Sequence, residues 1–260
     1  MKKLILLTLL ILPLTFASCG SDDEPNYSNQ TLVAGSVYAI PGGSTGWTSD
    51  NELIASVSTN GVTAEHVGET YIRNGNKSFK VTVTGKYNTF KEPYMKFGAS
   101  MSSVKSFMSN YTLNKELAEA LLYDGTFPVM YYMYTFKNGG MYLSSAIIKS
   151  SSVDTEEMVD FLNERYVYVT KDESKYYFAF ISPDMKTMVI LQLDTLDYQV
   201  VYEIIYAEYT GSSSAPAQTM KMMNKQLVPA SFEANAEVKA EYSRLLDVMP
   251  EMNTELNIIK

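Results

Sequence analysis

The chain has 260 residues, with 21 Lys and Arg against 29 Asp and Glu for a net charge of -8, and it holds one Cys, one His, one Trp, 20 Tyr and 15 Met. One cysteine excludes a disulfide within the chain and a Cys-cluster metal site, and one histidine excludes a multi-histidine metal centre. So acidic a chain lacks the clustered Lys and Arg that neutralise phosphates, and nucleic acid is not an expected partner. A hydrophobic content of 46% is that of a folded protein, of a length that suits about two domains.

Lys2 and Lys3 precede the apolar run Leu4 to Leu14, and residues 1–18 read as a secretion signal. The run is about eleven residues, short of the roughly twenty that a membrane-spanning helix needs. Behind it stands Phe16-Ala17-Ser18-Cys19. Small residues before the one Cys of the chain resemble the lipobox of bacterial lipoproteins, with Phe16 where Leu is more usual. The resemblance implies cleavage before Cys19, lipidation of Cys19, and the outer membrane as a partner through the lipid anchor; two or more buried acyl chains hold a soluble domain stably on a bilayer. Residues 19–26 form the tether. Its run Ser21, Asp22, Asp23 and Glu24 resembles the surface-export signal of Bacteroidetes lipoproteins, which implies cell-surface exposure; a periplasmic-facing location is the alternative. Such a run also makes a plain solvated linker.

Residues 27–86 favour short strands and turns. Strands are expected at Leu32-Val33, Ser36 to Ile40, Ile54 to Val57, Val62 to Ala64, Tyr71-Ile72 and Phe79 to Val83, with a hairpin at Asn60-Gly61. This spacing predicts an all-β sandwich. The ordered series Trp47-Thr48-Ser49-Asp50, Ala55-Ser56-Val57, Asn60-Gly61-Val62-Thr63-Ala64 and Gly68-Glu69-Thr70-Tyr71-Ile72 resembles bacterial immunoglobulin-like domains of the second type. The resemblance implies a spacer or adhesive module with Trp47 in its core; an exposed Trp47 would instead suit sugar stacking. His66, with no nucleophile motif beside it, reads as a surface or turn residue.

Lys86 to Pro93 joins this part to residues 87–210, where helix-then-antiparallel-strands is expected twice. A short helix over residues 102–108 leads the first run, in which helical spacing at Leu113, Leu117, Ala120 and Leu121 competes with a strand at Leu121 to Tyr123. Strands follow at Val129 to Phe136 and Met141 to Lys149. Asp154, with Glu157 three residues on, caps the second helix. Strands then run from Tyr166 to Thr170, Tyr176 to Ser182, Thr187 to Leu193 and Val200 to Tyr206, with turns at Ser182 to Asp184 and Asp194 to Asp197. The fold class predicted is α+β with helices on one sheet face, by analogy β-lactamase-inhibitor-like or TATA-binding-protein-like. Residues 211–260 read as a linker followed by a helix from Ser231 to Met249, ended by Pro250.

Most of the tyrosine surplus falls in these strands. Alternation puts Tyr132, Tyr134 and Phe136 on one face. Tyr132, Tyr134, Tyr177 and Tyr202 are therefore candidates for an exposed aromatic face that binds a glycan or a protein; the competing reading is that tyrosine simply makes good half-buried sheet. No phosphate-binding glycine loop, zinc motif or calcium loop occurs, so no cofactor, metal site or catalytic residue is expected. The sequence thus predicts a non-catalytic surface binding lipoprotein. A carboxylate-based hydrolase of extracellular polymers is the alternative, and a structural or adhesin subunit is a third reading.

Overall fold

The computed structural model describes residues 27–209, 211 and 236–249. The signal at 1–18, Cys19, the tether residues 21–24, most of the linker and the helix start at Ser231 lie outside the described residues. The described chain is mostly β-sheet, in several sheets with few helices.

Seven strands come first: β1 (Gln30–Val33), β2 (Val37–Tyr38), β3 (Thr48–Ser49), β4 (Ala55–Ser58), β5 (Gly61–Ala64), β6 (Gly68–Asn74) and β7 (Lys77–Thr84). They form a four-stranded sheet, ordered β1-β7-β6-β3, and a three-stranded sheet, ordered β2-β5-β4. Alternate residues turn inward, so Ile72, Phe79, Val81 and Val83 of the first sheet share one core with Ala55, Val62 and Ala64 of the second. Trp47 lies in that core, 7% exposed, its ring centroid 4.7 Å from Tyr27 and 5.4 Å from Phe79. Buried so, it offers no face to a sugar. His66 is more enclosed than a surface residue. Its Nδ1 lies 2.6 Å from the Leu53 carbonyl oxygen, and burial holds its pKa below the usual value.

The β4–β5 hairpin forms one residue earlier than the Asn60-Gly61 signal suggests. Ser58 pairs with Gly61, so Thr59 and Asn60 make the loop and Gly61 opens β5. Gly61 has φ +119°, and a Cβ there would stand 2.2 Å from the Tyr38 carbonyl oxygen. Only glycine fits.

The rest builds one eight-stranded antiparallel sheet. Helix α1 (Met101–Phe107) precedes β8 (Leu113–Leu117), β9 (Ala120–Asp124), β10 (Val129–Lys137) and β11 (Gly140–Lys149). Helix α2 (Thr155–Asn163) precedes β12 (Val167–Asp172), β13 (Tyr177–Ile181), β14 (Thr187–Leu196) and β15 (Gln199–Glu208). The strand order β12-β13-β14-β15-β11-β10-β9-β8 joins the two runs at their last strands. Asp154 caps α2, accepting from Glu157 N at 3.0 Å, but Glu157 does not close a capping box; its carboxylate accepts from Thr89 Oγ1 at 3.0 Å. Of the two competing readings of Leu113 to Tyr123 the strand prevails, as a β8–β9 hairpin with β8 exposed along its length. One expectation fails. The turn expected over Asp194 to Asp197 is strand as far as Leu196, and Asp197 and Tyr198, with φ of 49° and 62°, make the turn. Such a two-residue loop matches the strand twist.

Helices α1, α2 and α3 (Ala236–Val248) cover one sheet face. Val104, Met158, Phe161, Leu162, Val238, Tyr242 and Leu245 pack there against Tyr132, Tyr134, Phe178, Leu191, Tyr202 and Tyr206. This corrects the proposed aromatic binding face. Tyr132, Tyr134, Tyr177 and Tyr202 are 2%, 0%, 6% and 0% exposed, and Tyr177 lies on the opposite sheet face from the other three, with Leu143, Met188 and Ile190. The physical reason is the hydroxyl. A buried tyrosine needs a partner for it. Tyr132 donates to the Lys91 carbonyl at 2.7 Å, and Tyr202 donates to the Glu241 carboxylate, which also accepts from Thr155 Oγ1 at 3.0 Å. Glu241 thereby ties α3 to α2 and β15.

The other face carries a buried acid. Glu203 is 8% exposed, between apolar Met133, Leu143 and Ile205 and the hydroxyl-bearing Thr135, Ser144 and Ser145. Its Oε1 has no hydrogen-bond partner; the Ser145 hydroxyl favours the charged form slightly without reaching full hydrogen-bond geometry. Burial, with the nearby charge of Asp194, pushes its pKa from 4.5 up to about 7.

Two predictions follow from this packing. Gly61→Ala should lose about 1–3 kcal/mol in urea denaturation, whereas Gly75→Asn, at φ +59° in open space, should lose less than about 1 kcal/mol, because asparagine tolerates that backbone. Between pH 4.5 and about 7 the folded protein keeps a proton on Glu203 that the unfolded chain has lost, so stability falls as pH rises through that window. The drop is about 3 kcal/mol at 1.36 kcal/mol per pKa unit; in Glu203→Gln, denaturation midpoints should be flatter across it.

A cleft between the small sheets and the large sheet

The two small sheets meet the large sheet at a junction built around one carboxylate. Glu164, 7% exposed, sits directly after α2. It accepts from Lys86 N at 2.7 Å and Tyr87 N at 3.0 Å, the first peptide groups of the joining segment, and it pairs with Arg165. The Arg165 guanidinium lies 3.8 Å over the Phe161 ring and donates to the Tyr87 carbonyl at 2.9 Å and the Phe161 carbonyl at 3.2 Å. Planar and always charged, it suits such a stacked, forked position. From the small sheets, Val67 N donates to the Glu164 backbone carbonyl at 2.7 Å, and Asn51 Nδ2 donates to the Pro183 carbonyl at 2.9 Å. Gly85 lets the segment pass this close, because a Cβ would stand 2.5 Å from Glu164 Oε1.

The junction leaves a cleft of about 480 Å³, within the usual size of a ligand site. Ile54, Val67, Gly68 and Glu69 wall it from the small sheets; Arg165, Tyr166 and the β13–β14 turn wall it from the large sheet, with Glu92 of the joining segment and Met95 just beyond it between. Glu92 Oε1 accepts from the Tyr166 hydroxyl. Its Oε2 lies 3.8 Å from Arg165 Nε, too long for a hydrogen bond. The Tyr206 hydroxyl, fully buried and outside the cleft lining, lies near enough to feel the charge of Glu92 but makes no hydrogen bond. Burial raises the Glu92 pKa, against the pull of Tyr166 and Arg165. Burial also holds both phenols well above their ordinary pKa, so they stay protonated donors.

The rim differs. At Asp184 burial pushes the pKa up, but hydrogen bonds from the Ser182 hydroxyl at 2.6 Å and Lys186 N at 3.2 Å outweigh it, and the carboxylate lies below its usual range. Lys186 Nζ stands 3.3 Å from Asp184 with its side chain 79% exposed. A larger concavity of about 700 Å³ lies between Asp197, Tyr198 and the start of α3, but Tyr198 is 99% exposed there, and none of its described lining residues is a buried polar group. Among the described residues no cluster of His, Cys, Asp or Glu is disposed to hold a metal ion, and no helix is long and apolar enough to cross a membrane.

None of the candidate site residues read from the sequence lines this cleft, though Gly68, Glu69, Ser182 and Asp184, read there as motif and turn residues, do. Cys19 and residues 21–24 lie outside the described residues, and the four tyrosines are packed elsewhere. Glu92 falls in the joining segment, and Arg165 lies between the second helix and the strand from Tyr166, in no motif. Gly85 was the one local signal, a glycine at the boundary where two chain segments approach closely. No protein-family model, curated protein or solved structure matches the chain.

Glu164→Ala should strand Arg165 and two buried amides and cost about 3–5 kcal/mol, read by chemical denaturation, with new protease cleavage within residues 85–93; unchanged stability and cleavage would mean that the carboxylate does not hold the junction.

Proposed function

We propose that this chain is a cell-envelope lipoprotein, anchored in the outer membrane through Cys19 and displayed on the cell surface. In this reading residues 27–86 are an immunoglobulin-like spacer, and an α+β domain of residues 87–210 binds an extracellular glycan or protein without catalysing a reaction. The observation that carries it is the cleft between the two parts, walled by both, with Glu92 and Arg165 in its lining 3.8 Å apart. Ligand sites favour such boundaries. The seven short strands sharing one core support the immunoglobulin-like reading. The two helix-plus-four-strand runs support the β-lactamase-inhibitor-like or TATA-binding-protein-like analogy, which carries no function by itself.

A second reading, a carboxylate-based hydrolase, is favoured by one observation. Glu92 is pushed up and Asp184 held down in the same cleft, the separation of roles that a general acid and a base require. The adhesin reading gains less. Edge strand β8 carries Lys115 and a register break beside it, features that blunt strand addition.

Two measurements test the proposal. Cys19→Ser should move the chain from the membrane fraction to the soluble fraction; retention on the membrane contradicts the anchor. Lys186→Trp, which sets an indole at the cleft mouth, should abolish capture of extracellular glycans or proteins with the fold unchanged, and undiminished capture contradicts the cleft. Release of reducing ends from a polysaccharide, lost in both Glu92→Gln and Asp184→Asn, would select the hydrolase instead.

A further inference from the structure

We infer that the end of the large sheet farthest from the cleft is a second interaction surface. It fits a protein surface that bears arginine or lysine side chains, with the Phe127 and Tyr198 rings as anchors. One row of paired residues crosses the sheet from Asp124 in β9, through Ile147, Glu203 and Gln192, to Asp172 in β12. The β9–β10, β12–β13 and β14–β15 turns all lie beyond that row on one side, and the β13–β14 turn that lines the cleft lies on the other. Phe127 and Tyr198 stand in two of the three far turns. They are 81% and 99% exposed, the highest values of any large hydrophobic residue among the described residues. The strand order sets the two turns three strand spacings apart, about 14 Å, so a partner of ordinary footprint reaches both.

Folding alone does not call for these two rings. Scattered apolar residues on a surface need no cause, but these share one end of one sheet, and at such exposure neither contributes packing. Tyr198 also holds φ +62° beside Asp197 at +49°, a turn that glycine or asparagine makes at least cost. Backbone kept in so unfavoured a region marks functional surfaces. The charge there is acidic. Lys171 and Lys175 are spent on Glu173 at 2.7 Å and Asp172 at 3.1 Å. Asp124, Asp154, Glu156, Asp194, Asp197 and Glu237 lie on these turns, strand ends and helix starts with no ion pair among the described residues, and they outnumber Lys149 and Lys239, even with Asp154 set against the α2 amide it caps. Such an end repels nucleic acid, anionic lipid and a second copy of itself. A guanidinium or ammonium suits both features, because it pairs with carboxylates and lies over ring faces. Aromatic residues are the usual anchors of protein interfaces. The location fits as well. β7 runs toward the junction at Gly85 and β1 lies parallel to it, so the chain enters the small sheets on the side away from the large sheet. On the reading of Cys19 as the anchor, the far turns then point away from the membrane; the rings and the charge stand without that reading.

The test is an amide NMR titration of the purified full-length chain with end-blocked hexa-arginine, hexa-lysine and hexa-glutamate peptides, and with phosphatidylcholine vesicles. Hexa-arginine should shift amides at residues 124–128, 173–176 and 195–199 above all others, hexa-lysine should do so more weakly, and hexa-glutamate should shift none. Phe127→Ser with Tyr198→Ser should weaken hexa-arginine binding about fivefold or more. Tyr198→Gly alone should weaken it while melting no lower than the parent, because glycine relieves the backbone; a lower melting temperature with unchanged binding would give the ring a structural role and overturn its place as an anchor. Lys186→Trp at the cleft mouth should leave the peptide shifts as they are, so failure of the cleft and failure of this surface are told apart. Absence of hexa-arginine binding overturns the inference. So do shifts spread evenly over the acidic surface, or shifts at the far turns that survive loss of both rings. Vesicle binding through Phe127 and Tyr198 without peptide binding overturns it too, and would assign the turns to a lipid surface.

Discussion

The Glu164 carboxylate fixes where the small sheets stand relative to the large one. A buried carboxylate is stable only when its charge is matched by donors. Here those donors are two consecutive backbone amides of the joining segment and the Arg165 guanidinium. The segment is therefore held at its first residues, and Glu92 is carried to the place where Tyr166 meets it. The cleft is a consequence of this arrangement. Its walls come from both parts of the chain, its floor from the segment between them, and the same Arg165 that completes the junction faces Glu92.

The tyrosine surplus serves the same economy of polar groups. A ring with a hydroxyl at its end can span a sheet–helix layer and still satisfy that hydroxyl beyond it. Tyr132 reaches the joining segment, Tyr134 receives the Tyr94 amide at 3.3 Å, and Tyr202 reaches α3 through Glu241. These buried aromatic residues connect layers, and the cleft that could engage a ligand is lined by carboxylates and a guanidinium instead.

Much of the fold was legible because it rests on local rules. The period-two alternation at Val129 to Phe136 put Tyr132, Tyr134 and Phe136 on one face, though not which face the helices cover, the Asp154 cap set the start of α2, and Asn60-Gly61 marked a hairpin to within one residue. The failures were also physical. Leu113, Leu117, Ala120 and Leu121 fit a helical period, yet only the register with β10 shows that β9 has a partner strand to complete. The candidate site was not legible, because each of its members has a bland local explanation. Glu92 sits in a linker, Arg165 follows a helix, and Asp184 lies in a turn. Separations of 74 residues between Glu92 and Tyr166 and 78 between Lys86 and Glu164 leave no spacing for a sequence pattern to detect.

Everything proposed for the cleft requires the small sheets and the large sheet to keep one orientation in solution. Residual dipolar couplings of the backbone amides in a single aligning medium measure this directly. Couplings from residues 27–84 and from residues 94–209 should fit one common alignment tensor, with the orientation that Glu164 and Arg165 impose. Two tensors of different magnitude would show the parts moving independently, and would contradict the account of the junction and of the cleft that it makes.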